Sequence, residues 1–374
     1  MASSEMQITA LDIRCCRAPG ALAPDALRKG DGDDGLEFLV YTLHCADGAS
    51  ASMFGFAGRS ARGAGHMAAA SLRPFLIGRN ALDREAIWQD WRVADRWWHH
   101  LPFYLYGPLD TCLWLVGAQA AGQPLWRYIG GARREVPVYA SSLVLPDAQA
   151  YADEARAVQD AGLRGYKIHP PGQSLGEDIE IHEAVRDAVG PEFPLMSDPV
   201  ACYTLEEAVR LGRVLERLDY LWLEEPLPDE HFGALKELAR VLDIPVVGTE
   251  VLTRHPYSVA ECIADRVVDA VRADVSWSGG VTGALKTARL AEAFHVNCEL
   301  HTTIFHPLEM ANLHLAGAMS NCSFFEVLWP LDRFDFGLAG GLPIHQGMAR
   351  LGDAPGLGAA LDWEFIDRCT IEEL

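Results

Sequence analysis

Residues 220–250 read YLWLEEPLPDEHFGALKELARVLDIPVVGTE. Two short apolar runs, YLWL and IPVV, each lead into a glutamate, Glu224 and Glu250. Between them lies a stretch with helical patterning. The unit is strand, helix, strand. The same texture extends in both directions. Upstream stand VPVYA (136–140), GYKIH (165–169) and FPLMSD (193–198). Helical stretches follow them around 147–161, 176–188 and 205–218. Downstream stand AVRAD (270–274), VNCELH (296–301) and SFFEVL (323–328). Eight strands alternating with helices predict a parallel sheet, and eight units in this length point to a closed (β/α)8 barrel of the TIM type.

Residues 1–133 differ. LVYTLHC (39–45) and ASASMFGF (49–56) read as two strands around the turn Ala46-Asp47-Gly48. Residues 84–98 and 109–122 read as helices, the second apolar nearly all round and therefore buried. The expected organisation is an α+β cap, residues 1–133, completed by the C-terminal segment 345–374, on a barrel of residues 134–344. KGDGDDG (29–35) reads either as a solvated loop or as a lid.

The chemistry lies at the ends of the barrel strands. Lys167 and His169 close the second, Asp198 the third, Glu224 the fourth, Glu250 the fifth, Asp274 the sixth, His301 the seventh and Glu326 the eighth. From Asp198 the successive gaps are 26, 26, 24, 27 and 25 residues, one βα unit each. A single acid after a strand is commonly a helix N-cap. Seven consecutive strands ending in ionisable groups call for a shared function at the mouth where barrel active sites sit. Asp198, Glu224 and Glu250 offer hard oxygen ligands without cysteine, a set that suits Mg2+ rather than zinc. Lys167 and His169 share one face of their strand. Asp274 and His301 come from adjacent strands and could pair, orienting the ring and raising its basicity. A metal flanked by two bases suits removal of a proton next to a carboxylate, because the enediolate that forms needs concentrated positive charge. Glu326, if protonated, could donate to the second carboxylate oxygen.

The composition narrows the partners. Asp and Glu number 52 against 31 Lys and Arg, a formal charge of -21. Nucleic acid and anionic membrane surfaces both want basic patches. Nine cysteines without a CxxC pair read as reduced thiols of a cytoplasmic protein. Neither a signal peptide nor an apolar run of about 20 residues is visible. Several features read as structural: the run Trp97-Trp98-His99-His100 as a packed cap helix or subunit contact, His314 as a core or interface histidine, and GGVTG (279–283) as a helix start. Trp277 and His306 remain candidates for lining the pocket.

The order and spacing of GQPLWRYIGG (122–131), GYKIH, WLEEP (222–226), GTE (248–250), ADVSWSGGVTGALKTARLAE (273–292) and ELH (299–301) resemble the mandelate racemase subgroup of the enolase superfamily along essentially the whole chain. The resemblance implies one Mg2+ per subunit on Asp198, Glu224 and Glu250, with Glu225 standing behind the ligands. It implies an Asp274–His301 dyad, a substrate-binding Glu326, and cap loops that close over the substrate. It also implies an even-numbered homo-oligomer: a dimer, tetramer or octamer. Enolase-superfamily sites pair a Lys or His base with Mg2+. The second strand departs from the family's two lysines, carrying Lys167-Ile168-His169, so either Lys167 or His169 could be the base on that side. Val200 stands where an asparagine is frequent. The implied activity is dehydration of an acid sugar, an aldonate or aldarate, to a 2-keto-3-deoxy acid. The alternatives are a cycloisomerase of a sugar-acid lactone or anhydro sugar acid, an epimerase or racemase, and, outside enzymes, a non-catalytic binding protein.

Overall fold

The computed structural model describes residues 6–18, 35–252 and 255–374. The chain begins with β1 (Ile8–Arg17), β2 (Glu37–Cys45) and β3 (Ser50–Phe56). Helices α1 (Ala61–Leu76), α2 (Arg84–Ala94) and α3 (Phe103–Ala120) follow, then the short α4 (Leu125–Tyr128). Most of the Arg28–Gly35 segment read as a loop or lid lies outside the described residues.

The barrel strands are β4 (Glu135–Ser141), β5 (Tyr166–Ile168), β6 (Leu195–Ser197), β7 (Trp222–Glu224), β8 (Val246–Gly248), β9 (Ala270–Ala273), β10 (Asn297–Leu300) and β11 (Phe325–Leu328). Between them run α5 (Ala148–Asp160), α6 (Leu175–Val189), α7 (Leu205–Arg217), α8 (Phe232–Val241), α9 (Tyr257–Asp265), α10 (Gly280–Ala293) and α11 (His306–Ala318). Local sequence explains their starts. Asp147, Ser174 and Thr204 accept backbone N–H groups at the N-termini of α5, α6 and α7, and Thr204 forms a capping box with Glu207. Parallel ladders join β4 through β10 in order, and β11 pairs with β4. The circle passes from β10 to β11 by other contacts. Cys298 N–H donates to Asn321 O at 2.7 Å, and the Glu299 carboxylate accepts from Ser323 N at 2.9 Å.

After the barrel, β12 (Ile344–His345) and β13 (Met348–Arg350) form a small hairpin whose second strand pairs antiparallel with β4. Helix α12 (Trp363–Cys369) and β14 (Thr370–Glu373) then return to the N-terminal sheet, ordered β14-β1-β2-β3. The architecture is a (β/α)8-type barrel with an α+β unit at its mouth. Among the described residues no helix is long and apolar enough to cross a membrane.

Two sequence expectations need correction. The buried cap helix begins at Phe103 rather than Leu109, with Gly107 and Pro108 inside it. Both residues ordinarily mark helix breaks. Here Gly107 lets α3 press on the barrel, since a Cβ there would lie 2.4 Å from the Val275 carbonyl oxygen. Second, α2 ends at Ala94 and a π-helical turn, Asp95–His99, follows. That turn leaves Trp97 and Trp98 63% and 83% exposed, so they are not packed within this chain. His314 is a core residue: Trp126 N–H donates to its Nδ1 at 3.0 Å, and Nε2 donates to Leu357 O at 2.9 Å.

Candidate active site

Side chains that point the same way along a strand recur every second residue. Tyr139, Met196, Trp222, Val247 and Ala270 form one buried cluster, with Phe324 packed against it. The rings of Tyr139 and Trp222 meet edge-on at 5.8 Å. Two residues beyond Met196, Trp222, Ala270 and Phe324 stand Asp198, Glu224, Arg272 and Glu326. An apolar floor thus carries a layer of charge at the C-terminal ends of the strands.

Lys167 lies at the centre of that layer, fully buried. Its Nζ is 2.9 Å from Glu224 Oε1, 2.8 Å from Glu326 Oε1 and 3.0 Å from Asp198 Oδ2. Burial alone would depress its pKa, but the Glu224 and Glu326 carboxylates outweigh that and hold it well above the usual lysine value. Arg272 is the second buried cation. It pairs with Glu326 Oε2, approaches Glu224 Oε1 at 3.0 Å through Nε, and donates to Leu300 O at 3.2 Å through Nη1. Glu326 is buried, yet Lys167 and Arg272 hold its carboxyl below the ordinary glutamate range. It is therefore an ionised acceptor rather than the protonated donor considered from sequence. Burial raises Glu224 against the pull of Arg272 and Lys167. Its other oxygen accepts from Trp222 Nε1 at 2.9 Å.

Imidazoles flank this cluster. His169 Nδ1 is 2.7 Å from Ser142 O, and its Nε2 is 3.1 Å from Asp198 Oδ2. His301 Nδ1 is 3.1 Å from Asp274 Oδ2, and its Nε2 is 3.1 Å from Glu250 Oε1. Both nitrogens of each ring face acceptors, so both rings are arranged as imidazolium. Burial opposes that charge. Glu250 and Asp274 overcome it for His301, raising it to about 9, and Asp198 overcomes it for His169. Asp274 is fixed from behind, its Oδ1 accepting from Ser276 N and, at 2.8 Å, from Trp277 N.

This ring of groups lies within a region, residues 150–365, that matches the family described as enolase C-terminal domain-like. The chain belongs to that family. It is 30% identical over 352 residues to the 3,6-anhydro-alpha-L-galactonate cycloisomerase of Streptomyces coelicolor, covering 90% of this chain and 92% of that one. It is 29% identical over 253 residues to the arabinonate dehydratase of Saccharolobus solfataricus, covering 67% and 68%. The D-glucarate dehydratase of Agrobacterium tumefaciens, solved in complex with magnesium, superposes with a TM-score of 0.89 at 31% identity, covering 99% of this chain and 100% of that one.

This enolase-superfamily site places Asp198, Glu224 and Glu250 within electrostatic reach of one another. Burial is the main cause that lifts Glu250 to about 7, and Glu224 and Asp198 add to it. Three carboxylates from consecutive strands, without thiolate, fit a hard divalent cation. Among the described residues, however, no three His, Cys, Asp or Glu side chains surround a common point as a ready coordination shell. Each of the three carboxylates instead faces Lys167, Arg272, His169 or His301. Glu225 stands behind, accepting the Glu250 N–H at 2.7 Å.

The backbone around these groups is unusual. Val200 and Ala201 after Asp198, Glu225 after Glu224, Thr249 before Glu250 and Ile304 after His301 all have positive φ, from 39° to 81°. Non-glycine residues rarely adopt this region, and such strain gathers at functional sites.

Sequence reasoning missed Arg272. The signal was present, since an arginine interrupts the apolar run AVRAD two residues before Asp274, on the same face. It also missed Glu309. That buried carboxyl binds Thr302 Oγ1 at 2.6 Å and the Thr303 N–H, and burial lifts it to about 7. It braces the loop after His301. His306 is drawn off toward Asp335, at 3.2 Å.

Proposed function

We propose that the chain is a magnesium-dependent acid-sugar dehydratase, converting an aldonate or aldarate to a 2-keto-3-deoxy acid. The observation that carries this reading is the Asp274–His301 pair, 3.1 Å apart, standing across a buried carboxylate cluster from His169. One Mg2+ per subunit, held by Asp198, Glu224 and Glu250, would supply the Lewis acid that stabilises an enediolate. His169 or His301, once its ring has given up a proton to become the neutral imidazole, removes the proton α to the carboxylate. The β-hydroxyl departs with a proton from His301, leaving as water, and the enol product tautomerises to the keto acid. Asp274 holds the His301 ring and its charge. Lys167, clamped by three carboxylates, acts here as a fixed positive charge near the developing enediolate rather than as the base.

This reading takes residues 1–133 with 345–374 as a cap and 134–344 as the catalytic barrel. The pairing of β14 with β1 supports that division. A Mg2+-supplemented screen of aldonates and aldarates for 2-keto acid product tests the function. No product across the library, from folded protein, would refute it. Cycloisomerisation is the second reading, favoured by the similarity to the anhydro-galactonate enzyme along 92% of its length. Product mass separates the two: expelling a ring oxygen opens the ring to a keto acid of the substrate's own mass, whereas dehydration yields one lighter by a water.

A further inference from the structure

A cavity of about 470 Å3 opens beside the reaction centre, between the cap and the ends of the fifth and sixth barrel strands. Phe103 and Tyr104 line it from the start of α3, Val251 and Leu252 from the loop after β8, and Trp277 from the loop after β9. None of the catalytic side chains is among its described lining residues, but two of those residues are tied to them. Val251 follows Glu250 in the chain, and the Trp277 N–H donates to Asp274 Oδ1 at 2.8 Å. The indole is fixed in place, with the Tyr104 ring edge-on at 5.1 Å and the Phe56 ring at 5.3 Å. The polar lining is Asp95, whose Oδ1 accepts the Leu101 N–H at 2.7 Å, and His100. No lysine or arginine stands among the described lining residues.

We infer that this cavity receives the far end of the substrate, and that this end is uncharged: the substrate is a monocarboxylate acid sugar, not a diacid. The inference rests on the acid-sugar reading above and sharpens it. The reacting carboxylate belongs with the cations of the charged layer. A second carboxylate at the far end would meet apolar and aromatic groups and the like charge of Asp95, with His100 the one described lining side chain able to pair with it. An anion set against a like charge and a poorly solvating wall is disfavoured. A hydroxymethyl or deoxy terminus loses little there. Its C–H faces gain contact with the Trp277 and Tyr104 rings, and its hydroxyl can reach Asp95 or His100.

The test uses matched acids that differ only at the far carbon: gluconate against glucarate, and galactonate against galactarate. Their Kd values are measured calorimetrically on the full-length His301→Asn protein with Mg2+, which removes turnover from the measurement. Each monoacid is expected to bind about tenfold or more tighter than its diacid. Trp277→Ala should weaken the monoacid about tenfold and narrow the ratio, while Leu252→Lys should shift preference toward the diacid. Equal or tighter binding of the diacids, no binding of the monoacids, or a Trp277→Ala protein that keeps the wild-type ratio would each overturn the inference. Wild-type turnover separates the two claims. A monoacid preference in Kd without keto-acid product refutes the dehydratase reading and leaves the pocket assignment standing.

Discussion

Arg272→Met removes a fully buried guanidinium while keeping much of its volume. Glu326 loses its Arg272 partner, and Glu224 loses a cation at 3.0 Å. Lys167 still reaches both carboxylates, so one negative charge is left undercompensated. Breaking a buried pair by removing one partner costs roughly 3–5 kcal/mol. Protonation sets a ceiling. Neutralising a carboxyl of ordinary pKa, about 4.3, at pH 7 costs about 1.4 kcal/mol per unit, hence about 4 kcal/mol. The expected loss at pH 7 is therefore about 3–4 kcal/mol. For 374 residues at about 2.1 cal/mol/K each, the unfolding entropy is about 0.8 kcal/mol/K, which makes the shift in Tm about 4–5 °C. The sign with pH follows. The stranded carboxyl has a folded pKa raised above its unfolded value, so its penalty shrinks as pH falls. At pH 5 the same ceiling is only about 1 kcal/mol. Calorimetric melts of both proteins at pH 7 and pH 5 measure it. A loss under about 1 kcal/mol at pH 7, or a loss that does not shrink at pH 5, would refute the reasoning.

Asp274→Asn should fold normally, because Oδ1 can still accept from Ser276 and Trp277, but its amide cannot serve His301 Nδ1–H; kcat should fall about 10²–10⁴-fold in steady-state assays. Gly107→Ala would put a Cβ 2.4 Å from Val275 O and 2.9 Å from Gly280 N, backbone atoms with little freedom to yield. A loss of about 1–3 kcal/mol is expected in denaturant melts, with reduced kcat because the same loop holds Asp274. His314 must stay neutral to accept from Trp126 and donate to Leu357, and burial lowers it to about 4. The unfolded chain binds the proton first, so its contribution is whole above about pH 6.5 and lost on descent to pH 4. The stability advantage over His314→Gln should shrink by about 3 kcal/mol across that window, and a constant difference would contradict the assignment.

The alternation of short apolar runs and capped helices made the barrel legible, because both signals are local. α7 runs Leu205–Arg217 where the pattern predicts 205–218, and α5 runs Ala148–Asp160 where it predicts 147–161. The ionisable strand ends were legible for the same reason, since one residue per βα unit is a spacing that can be counted. The cap was less so. β1 and α1 went unread, and the return of β14 to β1 joins residues more than 350 apart, as in Arg14 against Glu373. No short-range pattern marks such a pairing.

The sequence by itself determined most of the ionisable groups that meet at the barrel mouth, Arg272 and Glu309 excepted, because strand direction and period two leave little choice. Only the tertiary structure decided what each one does there. Lys167 is locked among three carboxylates, Arg272 ties β9 to the ends of β10 and β11, and Glu326 is ionised rather than a donor. The physical reason is that a charge state depends on desolvation and on every neighbour within a few ångströms. In this barrel those neighbours come from strands tens to more than a hundred residues apart.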